Sequence, residues 1–127
     1  MEDKKKVFIV EDDEIFTFLV ENRLQKMVGI EAHTFTLGQE MLDRLGENPD
    51  VVFLDYSLPV MDGLEVLKRV KSTSPNTRVV MLSGLEWDQV VNECLDAGAE
   101  AFIQKDSKVA QKVHDKLIEM FGAEVAP

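Results

Sequence analysis

The feature that most constrains the fold is the alternation of short apolar runs with longer segments of helical periodicity. Five runs predict β-strands: Val7–Val10, Ile30–Phe35, Val51–Leu54, Arg78–Leu82 and Ala101–Ile103. Three of these runs are nearly continuous apolar stretches rich in β-branched residues, which is typical of strands that are covered on both faces. The runs therefore predict a buried, parallel, five-stranded sheet.

Between the strands, four segments carry apolar residues at spacings of three and four, which predicts amphipathic helices. The stripes are Phe16, Val20, Leu24 and Met27; Gly63, Val66, Leu67 and Val70; Trp87, Val90, Val91, Cys94 and Leu95; and Val109, Val113, Leu117 and Met120. Gly29, Gly46 and Gly98 are predicted C-cap glycines, and Pro75 is expected to close the third helical region. Consecutive βα units imply right-handed crossovers, so we expect an α/β doubly wound sheet with helices on both faces.

Length and charge limit the classes of protein. With 127 residues the chain suits one domain, and we expect residues 1–127 to form it. The formal net charge of −10 disfavours direct binding to nucleic acid or to an anionic membrane, and the basic cluster Lys4 to Lys6 is expected to be a solvated terminus. The longest apolar runs have four residues, whereas a spanning helix needs roughly 20, and no signal-peptide core follows the charged N-terminus. We therefore expect a cytoplasmic protein.

Polar residues follow the predicted strands at the edge where doubly wound sheets bind ligands. The first strand leads into Glu11, Asp12 and Asp13, the third into Asp55, the fourth into Ser83 and the fifth towards Lys105. Acids that converge on one edge raise one another's pKa unless a cation compensates, and hard oxygen ligands favour Mg²⁺. A hydroxyl and an ammonium at the same edge neutralise the oxygens of a phosphoryl group. The set predicts a carboxylate nucleophile with Mg²⁺ and a phosphate clamp.

Each of these residues has an ordinary explanation when it is taken singly. An acid after a strand is commonly a solvated loop residue or a helix N-cap, and Asp13 fits the N-cap role. Lys105 alone suits a surface lysine, and Ser83 alone suits a loop hydroxyl. The predicted site depends on their joint occurrence after strands one, three, four and five.

Four segments resemble the response-regulator receiver family. They are Val10–Glu14 (VEDDE), Leu54–Gly63 (LDYSLPVMDG), Met81–Gly84 (MLSG) and Ala97–Lys105 (AGAEAFIQK). The match spans the whole chain, and the Asp-x-x-Leu-Pro-x-Met-Asp-Gly segment is highly specific. The resemblance implies a flavodoxin-like strand order, 2-1-3-4-5, and a phosphorylation-operated switch in two-component signalling.

The resemblance also implies roles for the acids. Asp55 corresponds to the phosphoacceptor, which takes a phosphoryl group from the phosphohistidine of a sensor histidine kinase or a phosphotransfer protein. Asp12 is implied to ligate Mg²⁺ directly, and Glu11 to help hold the ion through water. Asp55 and the backbone carbonyl of Ser57 complete the implied metal site.

The remaining implied roles concern the phosphoryl group and its readout. Ser83 is implied to hydrogen-bond the phosphoryl group and Lys105 to pair with it, while Phe102 occupies the position of the family's switch aromatic. A downstream protein or an output domain would read the change, and a dimer through the fourth helix, fifth strand and fifth helix is a further expectation. Asp106 stands where the family usually has a cis proline. Because a non-proline cis bond costs about 3–4 kcal/mol, we expect a trans bond and an altered loop. The Lys105-Asp106 pair resembles receivers coupled to helix-turn-helix output domains of the LuxR type.

Three alternatives differ from a receiver in chemistry. A haloacid-dehalogenase-type phosphatase also uses a strand-end aspartyl nucleophile with Mg²⁺, but it needs a second acid two residues on, where this chain has Ser57. A flavodoxin-like electron carrier needs a hydroxyl-rich phosphate loop after the first strand, where this chain has acids. A receiver-like interaction module that is not phosphorylated would not need the complete acid, serine and lysine set. We therefore expect a phosphoacceptor that assists its own phosphorylation and dephosphorylation, and no enzyme acting on an outside metabolite.

Overall fold

Strands and helices alternate along the chain, as the sequence predicts. The computed structural model describes residues 4–84, 88–122 and 125. Its strands are β1 (Lys5–Val10), β2 (Ile30–Phe35), β3 (Val51–Asp55), β4 (Arg78–Ser83) and β5 (Ala101–Gln104), and its helices are α1 (Glu14–Leu24), α2 (Gly38–Leu42), α3 (Gly63–Thr73), α4 (Asp88–Asp96) and α5 (Val109–Phe121). All neighbouring strands are parallel in the order β2-β1-β3-β4-β5, which confirms the predicted doubly wound fold. Within these described ranges, no helix is long and apolar enough to cross a bilayer.

The sheet has a separate hydrophobic core on each face because successive strand side chains point in opposite directions. On one face, Val7 and Ile9 of β1 pack with buried residues of α1 and α5. On the other face, Phe8 and Val10 pack with buried residues of α2, α3 and α4. All residues of β3 are buried. Helices on both faces thus explain why the strand runs are continuously apolar and do not alternate with polar residues.

The first strand begins earlier than its apolar run suggests. The Lys5 backbone N–H donates to the Gly29 carbonyl at 2.7 Å, and the Lys6 N–H donates to Asp50 Oδ2 at 2.8 Å. The prediction that Lys4 to Lys6 form a solvated terminus is therefore wrong for Lys5 and Lys6. Backbone pairing at the beginning of a strand does not require an apolar side chain, so hydrophobicity alone places the boundary too late.

The predicted glycine caps have three different outcomes. Gly98, with φ 109°, follows the end of α4 and adopts the left-handed conformation that commonly ends helices. Gly29 also has a positive φ of 81°, but it lies beyond the turn that follows Leu24 and is not the cap of α1. The prediction for Gly46 is wrong, because Gly46 lies inside a 3-10 turn and Asn48 takes the left-handed position with φ 57°. Asparagine tolerates this region better than most residues, which removes the need for glycine.

The fourth helix has a narrower apolar face than its sequence predicts. Val90 and Cys94 are buried as expected, whereas Leu95 is 43% exposed. Burial also raises the pKa of the Cys94 thiol, as expected of a core cysteine. Trp87, the first residue of the predicted stripe, lies outside the described residues.

Candidate functional site

Acidic side chains meet at the carboxyl-terminal edge of the sheet because β1 and β3 are adjacent and parallel. Glu11 follows β1, Asp55 ends β3, and their residues are only 3% and 2% exposed. Asp12 is exposed beside them. One carboxylate oxygen from each of the three residues lies within 4.8 Å of the others. This arrangement suits a hard divalent cation, since oxygen ligands converge on one point.

Lys105 reaches the same cluster from the loop after β5. Its Nζ lies 2.5 Å from Glu11 Oε1 and 3.1 Å from Asp55 Oδ2, and its side chain is 13% exposed. The Lys105 backbone N–H donates to the Ser83 carbonyl at 2.7 Å, which fixes the start of the side chain at the end of β4. Despite the ion pair, neither buried oxygen of Glu11 has a hydrogen bond of normal geometry. One ammonium therefore compensates the acids only in part.

The partial compensation is visible in the pKa values. The pKa of Glu11 is raised to about 8, chiefly by burial and also by the neighbouring Asp55 carboxyl, while Lys105 acts in the opposite direction. Burial acts to lower the pKa of Lys105, but its pairing with Glu11 and Asp55 outweighs this effect and raises the pKa above its ordinary value. A cation bound at the acids would lower the Glu11 pKa, because nearby positive charge favours the ionised carboxylate.

The loop after β3 holds Asp55 in a fixed orientation. The Ser57 N–H donates to Asp55 Oδ1 at 3.1 Å, and Asp62 Oδ1 caps α3 by accepting a backbone N–H at 2.9 Å. The first residue of α3 is Gly63, and a Cβ there would stand 2.4 Å from the Asp55 carbonyl oxygen and 2.6 Å from Tyr56 Cα. Both neighbours are backbone atoms and cannot turn away. Glycine at this position is therefore required by the close approach of α3 to the end of β3.

Ser83 and Phe102 lie at different depths along the neighbouring strands. Ser83 is 1% exposed and follows Leu82, the register partner of Asp55, so it stands at the same edge as the acids. Phe102 is half-buried and pairs with Met81, two residues back from that edge. It lines an open groove of about 350 Å³ between β5 and α5. Ser83 thus lies at the same edge of the sheet as the acids, whereas Phe102 lies further back on the neighbouring strand and faces the groove beside α5.

The loop that carries Lys105 has a trans peptide bond before Asp106, as predicted, since every peptide bond in the described part of the chain is trans. Asp106 Oδ1 accepts the Lys108 N–H at 2.8 Å, and Oδ2 accepts from Lys112 Nζ at 2.7 Å. The bond with Lys112 lowers the pKa of Asp106. Lys112 also donates to the Gln104 carbonyl at 3.3 Å. Asp106 therefore ties the loop to the first turns of α5.

The sequence did not predict that Phe16 lies beside the site. Lys105 Nζ lies 4.5 Å from the ring centroid of Phe16, a residue that the helical stripe assigned only to the core. Asp13 is the N-cap of α1, as predicted, and its Oδ1 accepts the N–H groups of Ile15 and Phe16 at 2.9 and 3.2 Å. Periodicity along α1 carries no signal for a contact with the loop after β5, because the two segments are brought together only by the fold.

Comparisons with known proteins identify the family and agree with the fold. The family model for the response regulator receiver domain matches residues 7–117. The CheY chemotaxis protein of Thermotoga maritima is 29% identical over 102 residues, covering 80% of this chain and 85% of CheY. A cyclic di-GMP phosphodiesterase of the same organism is 34% identical over 99 residues, 78% of this chain, which spans only 26% of that enzyme's length. Among solved structures, the CheX–CheY–BeF3–Mg²⁺ complex from Borrelia burgdorferi contains a chain with a TM-score of 0.82 and 30% identity, covering 91% of this chain and 88% of that one.

Proposed function

Because the chain belongs to the response-regulator receiver family, we propose that it is a phosphorylation-operated switch whose acceptor is Asp55. The donor is the phosphohistidine of a sensor histidine kinase or a phosphotransfer protein. The observation that carries the proposal is that the buried Asp55 carboxylate lies beside two further acids and the Lys105 ammonium. In the transfer, an Asp55 oxygen bonds to phosphorus as the phosphorus–nitrogen bond of the donor breaks. The products are an acyl phosphate and the donor's free imidazole, which takes up a proton.

The acids fit a resident Mg²⁺. Glu11, Asp12 and Asp55 would hold the ion with the Ser57 carbonyl, and the two buried Glu11 oxygens that lack a hydrogen bond of normal geometry support this assignment. When bound, the ion supplies positive charge that neutralises the phosphoryl oxygens. The similar CheY structure from Borrelia burgdorferi is described as a complex with BeF3 and Mg²⁺. We therefore assign Mg²⁺ as the cofactor of phosphorylation in this chain.

Ser83 and Lys105 are assigned to the transferred group. The Lys105 ammonium is within reach of an Asp55 oxygen and would pair with a phosphoryl oxygen after transfer. The Ser83 hydroxyl would donate a hydrogen bond to another phosphoryl oxygen from the end of β4. In this scheme the domain assists its own phosphorylation and dephosphorylation and acts on no outside metabolite.

The acceptor assignment is tested with acetyl phosphate and Mg²⁺. The wild-type protein is expected to gain one phosphoryl group that is stable in acid and labile in base, measured by intact mass spectrometry. Asp55→Asn is expected to gain none, while Asp50→Asn, which changes an acid at the opposite edge of the sheet, retains the modification. Equal labelling of Asp55→Asn and wild type would refute the assignment.

The metal assignment is tested with two neighbouring acids. Asp12→Asn is expected to weaken Mg²⁺ binding and slow phosphorylation. Asp13→Asn serves as the matched control, because asparagine is a good N-cap and Asp13 faces the start of α1. Isothermal titration calorimetry measures the affinity of both variants for Mg²⁺. Loss of Mg²⁺ binding in Asp13→Asn alone would show that the wrong pair of acids had been chosen.

The proposed readout links Ser83 to Phe102 and the surface of α4, β5 and α5. Attraction of the Ser83 hydroxyl to the phosphoryl group would vacate space for the Phe102 ring, whose inward position buries apolar surface without a polar penalty. Partner proteins, an output domain or a second copy of the chain would bind the changed surface. Beryllofluoride with Mg²⁺ is expected to shift amide resonances around Ser83, Phe102 and α4. Unchanged resonances there, with Asp55 demonstrably occupied, would exclude this readout.

A further inference from the structure

Lys105 is held by three groups, and only two of them are acids. The Glu11 and Asp55 oxygens lie 2.5 and 3.1 Å from Nζ, and the Phe16 ring centroid lies 4.5 Å from it. An ammonium has three N–H groups, so the two carboxylates leave one direction for another partner. A ring centroid within about 6 Å of an ammonium, with the cation over the ring face, is in the range of a cation–π interaction.

Phe16 is also set apart from the other residues of its stripe by burial. Val20 and Leu24 on α1 are 2% and 1% exposed and lie inside the core. Phe16 is only half-buried and packs at the margin of that core. Its position at the end of α1 nearest the acids places its ring between the core and Lys105. Packing against the core therefore does not by itself explain why an aromatic ring stands at this position.

The backbone of Phe16 is fixed relative to the acidic loop. Its N–H donates to Asp13 Oδ1 at 3.2 Å, and the next residue, Thr17, donates through Oγ1 to the Glu11 carbonyl at 3.5 Å. The ring therefore moves with the segment that carries Glu11. The lysine, by contrast, has a flexible four-carbon stem whose end needs several contacts to remain in one place.

We propose that Phe16 is a positioning residue for the phosphoryl chemistry, whose ring holds the Lys105 ammonium at the acid cluster through a cation–π contact. This inference rests on the proposed function of Asp55 and Lys105. An ammonium that is already in place loses less conformational freedom when a phosphoryl oxygen arrives, so the ring strengthens the binding of the phosphoryl group without touching it.

The contact itself is tested in the unphosphorylated protein. The Lys105 εCH₂ signals are expected to show an upfield ring-current shift and nuclear Overhauser effects to the Phe16 ring. Both are expected to vanish in Phe16→Leu and to persist in Phe18→Leu, a control on the same helix whose side chain is 67% exposed. Ordinary Lys105 shifts in the wild type would overturn the proposal, whatever the fate of the phosphoacceptor assignment.

The functional consequence is tested by beryllofluoride affinity in the presence of Mg²⁺. Phe16→Leu is expected to bind about three- to tenfold more weakly, and Phe16→Trp is expected to bind at least as tightly as wild type, as cation–π strength predicts. Site-specific replacement of Phe16 by mono-, di- and trifluorophenylalanine keeps the shape of the ring and weakens its negative face, so affinity is expected to fall with each fluorine. Equal affinity across the fluorinated series, or an equal loss in Phe18→Leu, would refute the positioning role. Failure of the wild type to bind beryllofluoride would instead count against the proposed function of Asp55.

Discussion

The two edges of the same parallel sheet differ in how completely their buried polar groups are paired. At the amino-terminal edge, Thr77 is 2% exposed, and its hydroxyl donates to the Pro49 carbonyl at 3.0 Å and shares a 2.6 Å bond with Ser74. Lys71 Nζ donates to the Pro75 and Thr77 carbonyls in the same loop. The side-chain polar groups of Ser74, Thr77 and Lys71 thus all have partners within the chain.

The carboxyl-terminal edge lacks this balance. Glu11, Asp12 and Asp55 lie together, and the Lys105 ammonium pairs with two of them, Glu11 and Asp55. In the part of the chain that the structure describes, the two Glu11 oxygens are the buried polar side-chain atoms without a hydrogen bond of normal geometry. A buried carboxylate in this position costs stability unless it is protonated or paired with a further cation. One edge of the sheet thus pairs its buried polar groups, whereas the other brings acids together with too few cations, at a cost to stability.

The largest expected effect concerns Glu11 and pH. A carboxyl with a pKa near 8 in the folded protein binds its proton more tightly there than in the unfolded chain, whose pKa is near 4.5. Stability is therefore highest below pH 4.5 as far as this group is concerned and falls as the pH rises towards 8, by as much as about 4 kcal/mol. Urea unfolding of metal-free protein at pH 5.5 and pH 8 measures the change. Glu11→Gln is expected to flatten this dependence, and equal slopes in the two proteins would show that the two edges do not differ in this way.

The next effect concerns the amino-terminal, balanced edge, where the buried hydroxyl of Thr77 is removed. Thr77→Val keeps the shape of the side chain but leaves the Pro49 carbonyl and the Ser74 hydroxyl without their partner. We expect the free energy of unfolding to fall by about 1–3 kcal/mol. Thr73→Val, at the exposed end of α3, is the matched control and is expected to change it by less than about 0.5 kcal/mol. Similar results for the two variants would contradict the role of the buried hydroxyl.

A gain of stability is expected at the carboxyl-terminal edge. Val60 is fully exposed and has φ 69°, a left-handed conformation that disfavours β-branched residues. Val60→Asn is expected to raise the free energy of unfolding by about 1 kcal/mol, because asparagine tolerates this region. Val28→Asn changes another exposed valine, one without a positive φ, and is expected to give no such gain. Thermal unfolding measures both, and equal results would show that the Val60 backbone conformation has no cost.

The smallest effect concerns a charged pair at the balanced edge. Arg78 Nη2 and Glu100 Oε2 lie 2.6 Å apart, and both side chains are more than a third exposed. Glu100→Gln is expected to lower the free energy of unfolding by about 0.5 kcal/mol at low salt. The difference is expected to disappear in about 1 M salt, where the Debye length is near 3 Å. A loss that is larger and insensitive to salt would show that this edge depends on charge as well as on neutral hydrogen bonds.

Most of the fold was predictable because buried strands have a direct sequence signal. The continuous apolar runs located β3 and β4 to within one residue, since both faces of these strands are covered. The strand order came from the resemblance of the motifs and not from the pattern of runs. Hydrophobicity misplaced the start of β1 at Val7 and gave no warning that Leu95 is exposed, because backbone pairing and the width of a helix face depend on neighbours.

The site was predictable as a set of residues and not as a set of contacts. The rule that ligands bind at the carboxyl ends of parallel strands correctly brought Glu11, Asp12, Asp55 and Lys105 together. The ion pair between Lys105 and Glu11, and the approach of Phe16, depend on side-chain directions that sequence spacing does not contain. The roles of these residues in phosphoryl transfer remain predictions.

The ion pair between Asp106 and Lys112, which ties down the Lys105 loop, makes this loop sensitive to the salt content of the solution. Asp106 holds this loop through the Lys112 ammonium, and the two side chains are 41% and 36% exposed. Exposed ion pairs of this kind weaken as ionic strength rises. The position of Lys105 at the acid cluster thus depends on the Asp106–Lys112 contact, which dissolved salt can loosen. Ionic strength can therefore influence the site without any ligand binding there.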